Sequence, residues 1–153
     1  MARLDQMTDG EKKHFLSLPC PEFKMTPWVT PPALRKCRLA IISSAGLHRR
    51  GDRPFEPGAS DYRIIPSDIQ PNDLVMSHIS ANFDRTGFQQ DWNVIFPLER
   101  LNELAERGII ASVASYHYAF MGATEPQQME LPARNLARIM KNDAVDAVLL
   151  VPV

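Results

Sequence analysis

Apolar runs alternate with polar segments along this chain, and the pattern predicts strands and helices in alternation. Five runs have the length and composition of strands. They cover residues 38–45, 62–65, 73–78, 109–115 and 145–151. The first and the last are apolar almost throughout, which is typical of a strand covered on both faces. Polar loops are predicted at 46–61 and 79–96.

Helices are predicted in three places. Near the N-terminus, Thr8 and Glu11 fit a capping box, and Pro19 ends that helix. A second helix, 97–107, begins at Pro97 and is followed by Gly108. A third helix is capped by Thr124. The apolar stripes of the last two helices comprise Leu98, Leu101, Leu104 and Ala105, and Ala133, Leu136, Ala137 and Met140.

The order of these elements predicts the fold class. Alternating strands and helices imply right-handed crossovers and parallel strand pairing. We therefore expect an α/β fold: a three-layer sandwich with a mainly parallel, doubly wound sheet of about five strands. Residues 37–153 would form this domain, and residues 1–36, a helix and a proline-rich arm with Phe23 and Trp28, would pack on it.

Composition narrows the class of protein. The 153 residues suit one domain, and a formal net charge of −1 gives no signature of nucleic-acid binding. There is no apolar run of about 18 residues and no signal-peptide core, so we expect a cytoplasmic protein without a membrane partner. The two cysteines, Cys20 and Cys37, form no CxxC pair, which argues against a disulfide framework or a thiolate zinc site.

Three histidines follow predicted strands and are the candidate catalytic residues. His48, His78 and His117 each lie near the carboxyl end of an apolar run, whereas His14 belongs to the surface of the first helix. Ligands of open parallel sheets bind at that edge. Imidazole also changes its charge near neutral pH. We therefore expect the three side chains to share one cleft.

Polar neighbours of these histidines are the candidate substrate-binding residues. They are Asp52, Asp84, Arg85 and Tyr118. Alternatively, the aspartates cap turns and Arg85 is a solvated surface charge. Another alternative is a metal- or small-ligand-binding protein, since three histidines with an open fourth position form a zinc arrangement. GxGxxG, P-loop and GxSxG motifs are absent from the sequence, so we expect no bound cofactor.

Eight segments along the chain form a recognisable pattern. In chain order the segments are RLAIISSAGLH from Arg38, GDRPF from Gly51, YRIIP from Tyr62, Ser77-His78, NVIFPLERL from Asn93, GII from Gly108, HYAFMG from His117 and DAVLLVP from Asp146. Together they resemble the selenoprotein B family of glycine, sarcosine, betaine and D-proline reductases. The likeness spans roughly residues 37–153.

The resemblance implies reductive cleavage of a small amino-acid-like substrate. Family members carry a selenocysteine or cysteine in a short redox motif directly after a strand like AVLLVPV. The selenolate attacks the α-carbon of the substrate and displaces the amine, which a carbonyl group on a partner protein activates. Thiols then reset the enzyme. Other subunits of a reductase complex and a thiol reductant are therefore expected partners, besides the small-molecule substrate.

This sequence departs from the family pattern in where its cysteines lie. Cys20 and Cys37 both precede the first core strand. The resemblance puts the redox residue immediately after Val153, and selenocysteine is encoded by a codon otherwise read as stop. We expect the 153-residue chain alone to be inactive as a reductase. A non-catalytic subunit of a reductase complex is the alternative within this family, and the sequence leaves a homo-oligomer open.

Overall fold

The computed structural model describes residues 4–18, 22, 29–80 and 85–153. The helices are α1 (Asp9–Ser17), α2 (Thr86–Gln90), α3 (Leu98–Glu106) and α4 (Pro126–Asn142). The strands are β1 (Arg38–Ser43), β2 (Leu47–Arg49), β3 (Arg63–Pro66), β4 (Leu74–Met76), β5 (Ser112–Val113), β6 (Tyr116–Ala119) and β7 (Ala147–Val151). Short 3-10 turns occupy Leu4–Gln6, Leu34–Lys36, Pro71–Asp73 and Trp92–Val94.

The main sheet has five strands around β1. Strand β7 runs parallel to β1 along its whole length, from the pair Leu39–Ala147 to the pair Ser43–Val151. On the other side, β5 and then β6 pair in parallel with successive halves of β1. Strand β3 completes the sheet antiparallel to β6. The α/β class is confirmed, but this sheet is mixed and curled, and the mainly parallel, doubly wound sandwich is not.

A separate two-stranded sheet corrects the predicted layout. The run 73–78 was expected in the main sheet, and 46–61 was expected to be a loop. Instead, β2 and β4 pair antiparallel with each other. Gly46 causes the departure from β1, because its φ of +64° is a left-handed conformation that turns the chain out of the main sheet.

The core occupies both faces of β1, because successive side chains of a strand point to opposite faces. Ile41 belongs to a cluster with Leu98 and Leu101 of α3. Ile42 packs instead against a second cluster that contains Tyr118 and Leu136 of α4. Residues on the two sides of the sheet therefore have separate hydrophobic surroundings.

Helix ends follow the sequence in α3 but not in α4. Helix α3 lies between Pro97 and Gly108 as predicted, and Gly108 has a φ of +66°. Helix α4 begins at Pro126 and runs on through Pro132. Thr124 does not cap it, because the Thr124 hydroxyl donates to the Ala59 carbonyl at 2.7 Å. Among the described segments no helix is both long and apolar enough to cross a bilayer.

The N-terminal helix has the predicted capping box between Thr8 and Glu11. None of its residues is buried. Phe23 and Trp28 lie outside the described residues. The packing of residues 1–36 on the domain therefore stays a prediction.

Arg38 ties together the beginnings of several strands. Its guanidinium group donates to the Asp143 carboxylate at 2.8 Å, to the Asp143 carbonyl at 2.9 Å and to the Val113 carbonyl at 2.9 Å. It also donates to the Ser115 hydroxyl at 2.9 Å. Its backbone N–H donates to Asp146 at 2.8 Å. These bonds fix β1 against β5, β6 and the loop before β7.

We expect Arg38→Met to lower the free energy of unfolding by about 2 kcal/mol. The substitution leaves a half-buried Asp143 carboxylate and two carbonyls without their charged donor. Urea denaturation measures the change. The matched control is Arg134→Met, which removes an exposed helical pair with Glu130 and is expected to cost less than about 0.5 kcal/mol. Equal losses in the two variants would contradict this account of Arg38.

Candidate active site

Val153 is held at the carboxyl edge of the main sheet by Ser44. The Val153 N–H donates to Ser44 Oγ at 2.8 Å, and Ser44 Oγ donates to the Val153 carbonyl at 3.3 Å. The Ser44 N–H donates to the Val151 carbonyl at 3.1 Å. Ser44 thus continues the pairing of β1 with β7 by one further step beyond both strands.

Gly122 closes the other side of this contact. Its N–H donates to the Ser44 carbonyl at 2.8 Å. A Cβ added to Gly122 would lie 2.8 Å from the Ser44 carbonyl oxygen and 3.0 Å from the Val153 carbonyl oxygen. Only glycine fits there without moving the backbone.

Gly46 brings His78 to the same edge. A Cβ on Gly46 would lie 3.0 Å from the His78 backbone nitrogen and 3.2 Å from Met121 Cε. The Ser77 N–H donates to the Gly46 carbonyl at 3.0 Å. We call Ser44, Gly46, His78, Gly122 and Val153 the carboxyl-edge cradle.

His78 is the predicted catalytic residue that lies in the cradle. Its side chain is buried, and its Nδ1 accepts from the Ser80 N–H at 3.2 Å. Arg85 donates to the His78 carbonyl at 2.6 Å. Burial, and then the positive charge of Arg85, lower the pKa of His78. The ring is therefore neutral at pH 7, and with Nδ1 as acceptor its proton lies on Nε2, which makes it a hydrogen-bond donor.

His117 lies inside β6 rather than after a strand. It has no exposed surface, and its Nδ1 accepts from the Ile41 N–H at 3.0 Å. Phe96 packs edge-to-face on the ring at 5.6 Å between centroids. The imidazole fills the gap on β1 between the pairing with β5 and the pairing with β6. In this conformation His117 contacts no solvent and cannot touch a substrate.

His48 lies in β2, paired with Val75 of β4. It is buried, and its Nδ1 lies 3.0 Å from the Arg49 carbonyl oxygen. The three histidines therefore do not follow equivalent parallel strands: His48 lies within β2, His78 lies two residues beyond the end of β4, and His117 lies inside β6. Across the described ranges no three His, Cys, Asp or Glu side chains are placed to hold a metal ion, so the three-histidine zinc arrangement is not present.

The predicted substrate-binding residues are dispersed. Asp52 lies beside Arg49, at 3.7 Å, in an open groove of about 580 Å³. Tyr116 at the start of β6 also lines this groove. Gly122 of the cradle lies beyond the other end of β6, so the groove and the cradle are at opposite ends of that strand. Tyr118 is buried on the α4 side, and burial raises the pKa of its phenol. Asp84 lies outside the described residues. Of the three described members of this group, Arg85 is the one that lies beside the cradle.

Comparison with known families identifies the chain. The model of the family described as glycine/sarcosine/betaine reductase selenoprotein B matches residues 6–153. This chain belongs to the selenoprotein B family.

Relatives of this selenoprotein B chain are subunits of reductases. It is 32% identical over 133 residues to the D-proline reductase subunit gamma of Acetoanaerobium sticklandii, covering 80% of this chain and 54% of that subunit. It is 30% identical over 141 residues to the glycine reductase complex component B subunit gamma of Symbiobacterium thermophilum, covering 86% of this chain and 32% of that subunit. The sarcosine reductase complex component B subunit beta of Peptoclostridium acidaminophilum is 28% identical over 152 residues, covering 93% of this chain and 34% of that subunit.

The selenoprotein B chain spans about half the length of the first of these relatives and about a third of the other two. No solved structure matches it.

Sequence reasoning missed the role of Ser44 in this selenoprotein B fold. The signal was available, because Ser44 is a polar residue directly after an apolar strand, at the edge where ligands bind. Its partner, Val153, lies 109 residues away along the chain. That distance is why no local motif marks the contact.

Proposed function

We propose that this chain forms the active-site edge of a selenol- or thiol-dependent reductase that cleaves a small amino-acid-like substrate. The redox residue would follow Val153 and emerge from the carboxyl-edge cradle. The observation that carries the proposal is the pair of hydrogen bonds between Ser44 and Val153 beside Gly46 and His78. They fix the backbone at the position after which family members carry their selenocysteine or cysteine.

The cysteine that the structure describes does not serve this role. Cys37 is 1% exposed, and its thiol donates to the Pro32 carbonyl at 3.3 Å. It lies before β1, at the opposite end of the strand from Ser44. A thiol this deeply buried is inaccessible to a substrate or to a reducing thiol. Cys20 lies outside the described residues.

The proposed reaction transfers an electron pair from thiols to a carbon–nitrogen bond. The selenolate or thiolate would bond to the α-carbon of the substrate as the carbon–nitrogen bond breaks and the amine leaves with a proton. A thiol would then attack the selenium or sulfur, the bond to carbon would break, and the α-carbon would take a proton. A second thiol would reduce the resulting mixed bond and restore the free selenol or thiol.

His78 and Arg85 are the residues we propose to act on this chemistry. A neutral imidazole with its proton on Nε2 can donate a hydrogen bond to a selenolate or a thiolate. Arg85 adds a positive charge close to His78, which favours an anion at this edge. His48 and His78 are each 6% exposed and His117 is fully buried, so contact of any of these three rings with a substrate would require a conformation that exposes the ring further.

Gly122→Ala is expected to free Val153 from the cradle. The added Cβ would collide with the Ser44 and Val153 carbonyl oxygens, so the segment after β7 must move. We expect the Val153 amide to exchange about tenfold faster, with a loss of about 1–2 kcal/mol in the free energy of unfolding. Hydrogen exchange by NMR and urea denaturation measure the two effects.

Gly10→Ala is the control for Gly122→Ala, since a Cβ there meets nothing within 4 Å. Gly10→Ala should leave the exchange rate of the Val153 amide unchanged, and it should leave the free energy of unfolding unchanged or raise it slightly. An unchanged Val153 amide in Gly122→Ala would contradict the cradle geometry. The nucleotide sequence after the codon for Val153 tests the chemistry itself: an in-frame TGA or cysteine codon followed by further cysteine codons supports it, and a run without either opposes it.

A role as a non-catalytic subunit is the second candidate, favoured by the names of two relatives as components of reductase complexes. Size-exclusion chromatography with the products of neighbouring genes tests it. A stable complex in which the chain carries no selenol or reactive thiol after Val153 would favour this role over the catalytic one.

A further inference from the structure

Strand β7 has the composition of a central strand but the position of an edge strand. Its five residues, Ala147–Val151, are all apolar. Within the part of the chain that the structure describes, it pairs with β1 alone. Leu150, paired with Ile42, is 69% exposed. Strands apolar on both faces normally lie inside parallel sheets, with a neighbour on each side.

The free edge of β7 consists of the backbone groups of Val148 and Leu150. The Val151 carbonyl and the Val153 N–H both point toward β1, since each bonds to Ser44. Successive residues of a strand alternate in direction, so the N–H and C=O groups of Val148 and Leu150 point away from β1.

Strand β7 itself carries no lysine, no internal proline and no bulge, the devices with which proteins commonly blunt open edges. Ala147–Val151 contains no charge and no proline, and its register with β1 is continuous over five pairs. Among the described residues no other strand pairs with this edge. An open, apolar edge of this kind favours addition of another strand.

We propose that polypeptide following Val153 returns and adds a parallel strand along the free edge of β7. This inference rests on the proposed function, which already requires residues after Val153. The length of the relatives agrees with this occupant: the match covers 54% of the D-proline reductase subunit gamma, and the unmatched remainder of that subunit exceeds the dozen or more residues that a parallel crossover needs. A second copy related by a twofold axis would instead pair antiparallel, which the all-apolar composition favours less.

The added strand would join the redox segment to the sheet from both ends. Val153 is held at the carboxyl edge by Ser44, and the returning strand would lie beside the strand that leads to it. The segment between them would then be a loop anchored on both sides. Such a loop holds a reactive residue in one place.

Hydrogen exchange at single amides tests this proposal. The samples are the 153-residue chain and the protein purified from its native host, both at low micromolar concentration. In the short chain the Val148 and Leu150 amides should exchange quickly, while the Leu149 amide, which points toward β1, is protected in both. In the native protein we expect the Val148 and Leu150 amides to exchange at least about 100-fold more slowly.

A matched pair of variants gives a second measurement. Leu150→Lys in the longer protein should speed exchange at Val148 about tenfold or more, because a lysine on an edge strand disfavours pairing with a further strand. Leu131→Lys is the control, since Leu131 of α4 is equally exposed, at 69%, and should leave that exchange unchanged.

The outcomes separate this inference from the proposed function. A longer native protein with a selenol or thiol after Val153, but with fast exchange at Val148 and Leu150, overturns the added strand and leaves the proposed function standing. A native chain that ends at Val153 overturns both. Protection in the short chain that grows with its concentration identifies a second copy as the occupant and also overturns the proposal.

Discussion

Replacing His117 by alanine is expected to lower the free energy of unfolding by about 3 kcal/mol. The Ile41 N–H would lose its acceptor inside the core, which costs about 1–3 kcal/mol. The empty space beside Phe96 adds a cavity. Urea denaturation at pH 7 measures the loss. The reason is structural, because His117 Nδ1 takes the place of the neighbouring-strand carbonyl that would otherwise accept from the Ile41 N–H of β1.

Two further variants separate this role from the mere loss of a side chain. Asparagine offers a side-chain oxygen near the position of Nδ1, so His117→Asn should restore about 1 kcal/mol relative to alanine. His14→Ala, on the outer surface of α1, should change stability by less than about 0.5 kcal/mol. A loss below about 1 kcal/mol in His117→Ala would show that Ile41 does not depend on this ring.

Mild acid is expected to destabilise the fold through the same residue. Burial, outweighing the nearby Asp143 charge, lowers the pKa of His117 from 6.5 to about 4. Between those two values the unfolded chain binds a proton that the folded chain does not. The stabilisation is therefore complete above about pH 6.5 and is lost as the pH falls toward 4, by about 3 kcal/mol in total.

Denaturation at pH 7 and at pH 4.5 checks the acid effect, with His117→Asn as the comparison. Asparagine has no proton to gain, so the variant should lose clearly less stability over this interval than the parent. Identical losses in the two proteins would assign the pH dependence to other groups. His78 contributes in the same direction, because its pKa is lowered too, but its substitution leaves the Ile41 contact intact.

The elements that the sequence predicts well are those with local signals. Pro97 and Gly108 bound α3, and Thr8 with Glu11 caps α1, because capping depends on residues within one turn. The apolar runs at 38–45 and 145–151 contain β1 and β7, because a continuous apolar run is itself a local signal of a buried strand. These strands and α3 build the edge on which Val153 lies.

The predictions that failed depended on long-range pairing. The polar stretch after Ser44 gives no hint that Leu47–Arg49 pairs with β4, since the partner lies 25 or more residues away along the chain. The run 109–115 was predicted as one strand, but the chain extends α3 with a turn and forms β5 only at Ser112. As a result, His117 lies within β6 and not after the end of a strand.

Histidine positions alone therefore did not reveal which imidazole lies in the carboxyl-edge cradle. His78 reaches it because Gly46 has no side chain, and His117 does not because it completes the hydrogen bonding of β1. Both facts require the spatial arrangement of segments distant in the chain. The family resemblance, by contrast, was visible in the sequence, and the match to the selenoprotein B family confirms it.

Mass spectrometry of the protein purified from its native host tests the central proposal most directly. The sample is alkylated with iodoacetamide after reduction and then digested, and the peptide that contains Leu149 to Val153 is sequenced. The account predicts a peptide in which Val153 is followed by a carbamidomethylated selenocysteine or cysteine. A C-terminal peptide that ends at Val153, or one that continues with neither residue, would contradict it.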